Sequence, residues 1–332
     1  MQKKSNNEEI ARKNILRSGK ETSGVAIKGY DFDKGVNYQK IIESFASTGF
    51  QASLLSKAIQ ITNKMIEDKA FIYLGYTSNM VSSGLRDVFR YLVKNKKVNV
   101  IVTTAGGIEE DIMKCLGDFS LGSFDASGKE LRDKGINRIG NIFVSNNRYV
   151  ELEKFFQEIL EKVYQEQKRT GKPITPSELI WKLGEEINDE KSICYWAWKN
   201  KIKIFCPGIT DGAIGDNIWF FKYSKPDFVL DVAEDIKQMN DSVFGLEKSG
   251  AILLGSGIAK HQILNANMMR NGLDYAVYIN NSQEFDGSDA GALPDEAVSW
   301  GKIMEKSENV KVFGDATILF PMVVAETFAK NS

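Results

Sequence analysis

The residues best suited to chemistry lie in the stretch Glu284–Lys302, EFDGSDAGALPDEAVSWGK. Five carboxylates, Glu284, Asp286, Asp289, Asp295 and Glu296, fall within thirteen residues, and the first basic residue is Lys302, two places after Trp300. This charge balance suits a cavity that takes a polyamine-like cation and presents one amine for covalent work. Coulomb attraction holds the cation, and apolar cover beside the lysine favours its neutral, nucleophilic form. The same residues also describe a solvated acidic loop that caps a helix at Pro294-Asp295-Glu296. Trp300 is then either an aromatic wall against a cationic chain or a helix residue packed in the core. Lys302 is either the nucleophile or a solvated cation near the end of a short helix. His261, the only histidine, follows Lys260 in the first turn of a helix expected over His261–Asn271. The dipole there disfavours the imidazolium and leaves a neutral imidazole able to accept a proton, although a structural role is open to it as well.

Positioning these residues calls for a layered fold. Short buried-strand runs recur at Phe71–Tyr76, Val98–Thr103, Asn141–Ser145, Ile202–Cys206, Ala251–Leu254, Tyr275–Asn280 and Val310–Phe313. Most are nearly continuous in apolar character, as strands covered on both faces are. Helical periods run from about residue 36 through Met65 and over Val150–Lys168, Pro176–Ile187 and Phe228–Met239. The alternation predicts an α/β fold, a doubly wound and mainly parallel sheet with helices on both faces. Residues 1–30 read as an N-terminal arm with an amphipathic stretch at Glu8–Leu16, and residues 31–332 as a single domain.

Ligands of such sheets bind beyond the carboxyl ends of the strands. Small polar residues crowd those ends: Thr77-Ser78-Asn79, Thr103-Thr104-Ala105-Gly106-Gly107, Gly208-Ile209-Thr210-Asp211-Gly212 and Ser256-Gly257. They let backbone N–H groups approach a pyrophosphate, while Glu109, Glu110, Asp111 and Asp216 stand ready for ribose hydroxyls or a cation. The fingerprint GxGxxG is incomplete, because Lys260 occupies the third glycine position after Gly255 and Gly257.

Composition narrows the class. Forty-three basic against forty-four acidic residues argue against a sequence-independent grip on nucleic acid or anionic lipid. Cys115, Cys194 and Cys206 form neither a zinc pattern nor a disulfide framework, which points to a reducing compartment and no metal. The first twenty residues have no apolar signal core, and no apolar run reaches the roughly 18 residues of a membrane span. A cytoplasmic protein is expected.

Long stretches, TSNMVSSG, TTAGGIEED, TDGAIGD, KHQILNANMMRNGLDYAVYINN and the acidic run above, closely resemble deoxyhypusine synthase of the eukaryotic and archaeal type. The likeness extends from about Gly29 to Phe328. It implies a Rossmann-like NAD-binding fold and transfer of the 4-aminobutyl group of spermidine to one lysine of the translation initiation factor 5A precursor. NAD would first oxidise spermidine, and an enzyme lysine would capture the resulting imine and release 1,3-diaminopropane. By resemblance Lys302 is that lysine and His261 the assisting base. Spermidine would meet Glu109, Glu110, Asp216, His261, Gly287, Ser288, Asp289, Glu296, Trp300 and Lys302. NAD would meet Ser78, Asn79, Ser82, Thr104, Ala105, Gly106, Glu110, Asp211, Ser256, Asn281, Ser282, Asp286, Asp315 and Ala316. The resemblance also implies a homotetramer with active sites at dimer interfaces, the arm plugging a neighbour's entrance.

Four positions depart from the family pattern. Gln262 replaces a second histidine, Ala290 and Leu293 replace a serine and an arginine, Ser256 replaces a glycine, and the link near Glu67–Ala70 is shorter. Three other functions share much of this pattern. Homospermidine synthase keeps the lysine and uses putrescine as acceptor. A regulatory paralogue would be expected to lose Lys302 or His261, and a generic NAD-dependent oxidoreductase leaves the acidic run unexplained.

Overall fold

The computed structural model describes residues 2–330. In chain order the elements begin with α1 (Gln2–Ile15), α2 (Tyr38–Thr48), α3 (Phe50–Glu67), β1 (Phe71–Tyr76), α4 (Asn79–Ser82), α5 (Leu85–Lys94), β2 (Val100–Val102) and α6 (Ala105–Leu116). The middle holds β3 (Ser120–Leu121), α7 (Gly128–Asp133), β4 (Ile136–Ile139), β5 (Ile142–Ser145), α8 (Asn146–Thr170), α9 (Pro176–Ile187), α10 (Ile193–Asn200) and β6 (Lys203–Phe205). The last third holds α11 (Ala213–Ser224), α12 (Val232–Asp241), β7 (Ser249–Leu254), α13 (Ile258–Met268), β8 (Leu273–Asn280), α14 (Pro294–Ser299), β9 (Ile303–Phe313) and α15 (Ala316–Glu326).

Six strands form one sheet in the order β6-β2-β1-β7-β8-β9, every pair parallel. Counted along the chain within this sheet, that order is 3-2-1-4-5-6, the doubly wound dinucleotide-fold order. The switch point falls between β1 and β7, whose register runs from Phe71↔Ser249 to Tyr76↔Leu254. Both strands are apolar almost end to end because both faces are covered. One face carries a core built by α3, α5, α6, α8, α9 and α15 through Leu55, Phe89, Ile112, Phe156, Ile180 and Phe320. The other is closed by α12, α13 and α14 through Met239, Ile263, Leu264 and Ala297.

The expected fold class holds, with local corrections. Asn141–Ser145 is not a strand of the parallel sheet. Ile142–Ser145 pairs antiparallel with β4 and β3 in a separate three-stranded sheet. The reason is the two-residue Gly140-Asn141 reversal, with Gly140 at φ 59°, which closes a hairpin instead of feeding a crossover. The helix expected from residue 36 to 65 is two helices broken at Gly49 (φ 95°). The helix expected over Phe228–Met239 begins at Val232, because the Asp231 carboxylate accepts from the N–H groups of Ala233 and Glu234 and fixes the start there. The helix expected at His261–Asn271 starts three residues earlier, after Gly257, and His261 N–H donates to Gly257 O within its first turn. Pro176–Ile187 forms as expected, closed by a capping box between Thr175 and Glu178 with proline at the first helical position. The stretch Glu8–Leu16 falls on α1 and the residue after it, and Ile10, Ile15 and Leu16 stay exposed in this chain.

Asp111 belongs to the frame. It is 0% exposed. Its carboxylate accepts from Arg86 Nε at 2.8 Å, Ser192 Oγ at 2.6 Å and the N–H groups of Ile193 and Cys194, each at 3.0 Å. One side chain thus ties α6 to α5 and to the N-terminus of α10. Removing it leaves the Arg86 guanidinium buried without its counter-charge. Asp111→Ala is expected to lower the unfolding free energy by about 3–5 kcal/mol in urea titration. A loss below about 1 kcal/mol would show that the tie is dispensable.

Candidate active site

The acidic run folds into a loop, one short helix and a reversal. Helix α14 starts with Pro294 and carries Asp295 and Glu296 in its first turn. It stops at Gly301, which adopts φ 70°, with Gly301 N–H donating to Val298 O at 2.9 Å and Lys302 N–H to Ala297 O at 3.0 Å. This is a Schellman closure, and its left-handed residue favours glycine. Lys302 therefore lies outside the helix, not near its end as expected, and leads directly into β9. Its backbone carbonyl accepts from Leu273 N–H at 3.0 Å, which anchors it to the start of β8.

Lys302 Nζ lies 3.5 Å from His261 Nε2 and 5.4 Å from the centre of the Trp300 ring. Trp300 is 64% exposed, which excludes the core reading. Lys260, His261, Tyr278, Gly287, Asp289, Glu296, Trp300 and Lys302 line a cavity of about 200 Å³. The structure thus brings together the amine, the histidine, the tryptophan and two of the carboxylates that the sequence singled out.

What holds the loop escaped the sequence reading. Lys260 is 2% exposed, and its ammonium donates to Asp289 O and, at 3.5 Å, to Ala292 O. Lys311 on β9 donates to Ser282 O at 2.8 Å and Gly291 O at 2.6 Å. Burial lowers the pKa of both lysines, against an opposing pull from Asp289 on Lys260 and Glu284 on Lys311. The two cations are hydrogen-bonded to loop carbonyls, which leaves the carboxylates less engaged. Asp289 Oδ2 stands 3.7 Å from Lys260 Nζ, within ion-pair range, yet has no hydrogen-bond partner. The Tyr278 hydroxyl beneath the cavity also lacks one. Lys260 was legible as more than a failed glycine: with Ala259, Ile263, Leu264 and Asn267 it keeps helical spacing on the buried face of α13.

A second cluster forms across the sheet. Glu109 accepts from Ile214 N–H at 2.9 Å at the head of α11, and burial raises its pKa, with Asp216 and Asp211 adding repulsion. Glu110 accepts from Ser82 Oγ. Burial pushes the Glu110 pKa up to about 7, the Ser82 bond opposing and Glu109 reinforcing. Glu109, Glu110 and Asp216 were expected to share a site with Lys302. Within this chain, among the described residues, they do not line its cavity, nor does Ser288, whose N–H donates to Asp286 at 2.8 Å. Glu109 and Glu110 lie on α6, whose preceding strand β2 is three places from β8 in the sheet, roughly 14 Å at the usual strand spacing.

The small residues between these clusters follow the carboxyl ends of the sheet strands. Ser78 N–H donates to Thr104 Oγ1 at 3.2 Å across the β1 and β2 turns. A Cβ on Gly106 would lie 2.7 Å from Ser78 Cβ, so only glycine lets these turns come so close at the head of α6. Asn79, Ser82 and Ala105 sit in the same turns, and Ser256 follows β7 at the switch point. Asn281 and Ser282 follow β8, and Ala316 opens α15. Asp315 is the cap of α15, accepting from Thr317 N–H and Oγ1, both at 2.7 Å. Asp286 is exposed, its pKa lowered by the hydrogen bonds from Ser288. Asp211 lies in the turn after β6, on the acidic side.

A doubly wound sheet with a glycine-lined switch point, and an amine beside a carboxylate-bearing cavity, define an α/β enzyme. The sequence profile of the deoxyhypusine synthase family matches residues 40–327. The chain is 51% identical to deoxyhypusine synthase of Senecio vernalis over 91% of its own length and 89% of that protein. It is 47% identical to homospermidine synthase 2 of the same plant, over 98% and 96%. A crystal structure from Entamoeba histolytica that carries the name deoxyhypusine synthase superposes with TM-score 0.69 at 38% identity, covering 91% of this chain and 97% of that one. The chain belongs to the deoxyhypusine synthase family, enzymes of aminobutyl transfer in hypusine synthesis.

Glu110 makes stability depend on pH. Its folded pKa of about 7 lies above the ordinary value of 4.5. Its contribution to stability is therefore complete below the ordinary value and lost as pH rises through about 7. Glu110→Gln keeps an acceptor for Ser82 and removes the titration. Relative to wild type, the variant is expected to gain up to about 3 kcal/mol between about pH 5 and pH 8.5 in urea unfolding. A gap independent of pH would contradict the buried, proton-holding carboxyl.

Proposed function

We propose that this chain transfers the 4-aminobutyl group of spermidine to one lysine of the translation initiation factor 5A precursor, with NAD as cofactor and Lys302 as the covalent carrier. The observation that carries this reading is the Lys302–His261 contact, walled by Trp300 and faced by Asp289 and Glu296. Asp289 and Glu296 attract the ammonium groups of the polyamine, and Trp300 shields the reacting centre from water. Lys302, once neutral, attacks the carbon of the oxidised polyamine. Its new C–N bond forms as the C–N bond to 1,3-diaminopropane breaks, and His261 handles the proton. The precursor lysine then displaces Lys302 by the same exchange.

NAD, when bound, takes a hydride from the polyamine and returns it to the final imine. The chain's own residues fit it. The close Gly106–Ser78 approach opens the head of α6 to a pyrophosphate, as do Thr104, Ala105 and Ser256 at neighbouring turns. Glu110 and Asp211 would take the ribose hydroxyls, with Asn79, Ser82, Asn281, Ser282, Asp286, Asp315 and Ala316 completing the set that the family resemblance implies.

A homotetramer joins the two clusters between copies. Helix α11 carries Asp216 and also exposes Trp219, Phe220 and Tyr223, Trp219 meeting Phe220 at a tilt and Tyr223 edge-on. Such an apolar patch suits a face against a second copy. The arm of residues 1–30, exposed over residues 6–29, suits the same assembly, the remaining 31–332 forming the catalytic domain. Among the described residues no helix is long and apolar enough to cross a membrane, and the near-neutral charge favours neither nucleic acid nor lipid. A cytoplasmic location follows from the acceptor protein.

Homospermidine synthesis is the second reading, favoured by the 47% identity over 98% of the chain. A regulatory subunit fits less well, because Lys302 and His261 are both present and in contact. The test offers the precursor and putrescine together, with NAD and spermidine labelled in its butyl carbons. Label is expected on the precursor in excess of homospermidine. Label confined to homospermidine, or on neither acceptor, would overturn the proposal.

A further inference from the structure

The catalytic histidine needs an orientation as well as a position. His261 presents two nitrogens. Nε2 faces Lys302 Nζ at 3.5 Å, and Nδ1 lies 3.1 Å from the side-chain nitrogen of Asn265, one helical turn further along α13. The cavity that His261 lines is shared by Lys260 on the same helix, Asp289 from the loop, Glu296 on α14, Trp300 just after it, and Lys302 at the entry to β9. Of these polar groups only Asn265 meets Nδ1.

An amide nitrogen only donates, so a hydrogen bond from Asn265 Nδ2 requires Nδ1 to be an acceptor. A neutral imidazole has one N–H and one lone pair. With Nδ1 accepting, the ring proton sits on Nε2, aimed at Lys302. An Nε2–H has no use for a facing ammonium, since both would be donors. It finds an acceptor only in a neutral amine.

We propose that Asn265 is a positioning residue that sets the tautomer of His261, placing the ring proton on Nε2, the nitrogen that faces Lys302. A half-turn of the Asn265 amide reverses the pattern. Its oxygen then accepts from Nδ1–H, and Nε2 becomes the lone-pair base that spermidine oxidation requires. The proton count is the same in the two tautomers, and only its place on the ring changes. One amide thus admits both tautomers of the histidine, with the ring proton on Nε2 at rest and the lone pair there in turnover.

The single histidine makes the claim directly readable. Full-length protein labelled with 15N-histidine gives one imidazole pair in solid-state NMR. At about pH 9, well above the ~6.5 of free imidazole, wild type is expected to show a protonated Nε2 and a hydrogen-bonded, unprotonated Nδ1. Asn265→Leu is expected to return a mixture of tautomers, and Asn265→Asp, whose carboxylate only accepts, to move the proton to Nδ1. Identical ring spectra in the three proteins would overturn the inference, and so would a wild-type Nδ1–H.

The consequence for turnover rests on the function proposed above. In NADH formation from NAD and spermidine, Asn265→Leu is expected to lower kcat by about 10- to 100-fold with KM within about threefold, and Asn265→Gln to recover part of the loss. Unfolding curves that overlay wild type separate this from a folding defect. If wild type forms no NADH while the ring spectra change as stated, the functional reading fails and the tautomer assignment stands. If wild type turns over and the spectra do not change, the reverse holds.

Discussion

Everything at the site depends on holding several carboxylates next to one lysine without letting nearby cations cancel them. Glu284, Asp286, Asp289, Asp295 and Glu296 repel one another, and an unrestrained loop would spread them into water. The chain meets this constraint with two partly or fully buried ammonium groups, those of Lys260 and Lys311, which bond mainly to the loop's backbone carbonyls. Burying a lysine is costly, and the lowered pKa of each records that cost. In return the loop is fixed at Ser282, Asp289, Gly291 and Ala292.

The sheet divides the labour between edge and face. Its carboxyl edge gathers the turns after β1, β2, β7 and β8, where backbone rather than side chain makes the close approaches. The lysine comes from the other direction. It precedes β9, turned there by Gly301, and reaches His261 across the face that α13 and α14 cover. The rule that α/β sheets bind ligands beyond strand carboxyl ends locates the first set of groups and not the second. The acidic pair Glu109 and Glu110 lies beyond β2, toward the far edge, so one chain carries two separate acidic clusters.

Legibility in the sequence followed the range of the interactions. Strand β1 was readable residue for residue, because a six-residue apolar run covered on both faces has no rival pattern. Helix α9 was readable because Thr175, Pro176 and Glu178 write its start into four consecutive residues. The chemistry of Lys302 and Trp300 was legible as a pair of alternatives, since charge and spacing are local while exposure is not. Asp111 read like its neighbours Glu109 and Glu110. Only the return of α10 from 81 residues away makes it a structural tie. Lys260 read as a defect in a glycine motif for the same reason, its partners lying 29 and 32 residues further on. Hairpin Ile136–Ser145 was missed although its Gly140-Asn141 signal is local, because continuous apolar character was given more weight than the turn.

The account stands or falls on which nitrogen carries the aminobutyl group. The direct measurement is to quench turnover of the protein with NAD and spermidine by borohydride, digest it, and map the reduced adduct by mass spectrometry. A 4-aminobutyl increment on the peptide containing Lys302, and on no other lysine peptide, is the predicted result. An adduct on Lys260 or Lys311, or full turnover by Lys302→Arg with no adduct at all, would contradict it.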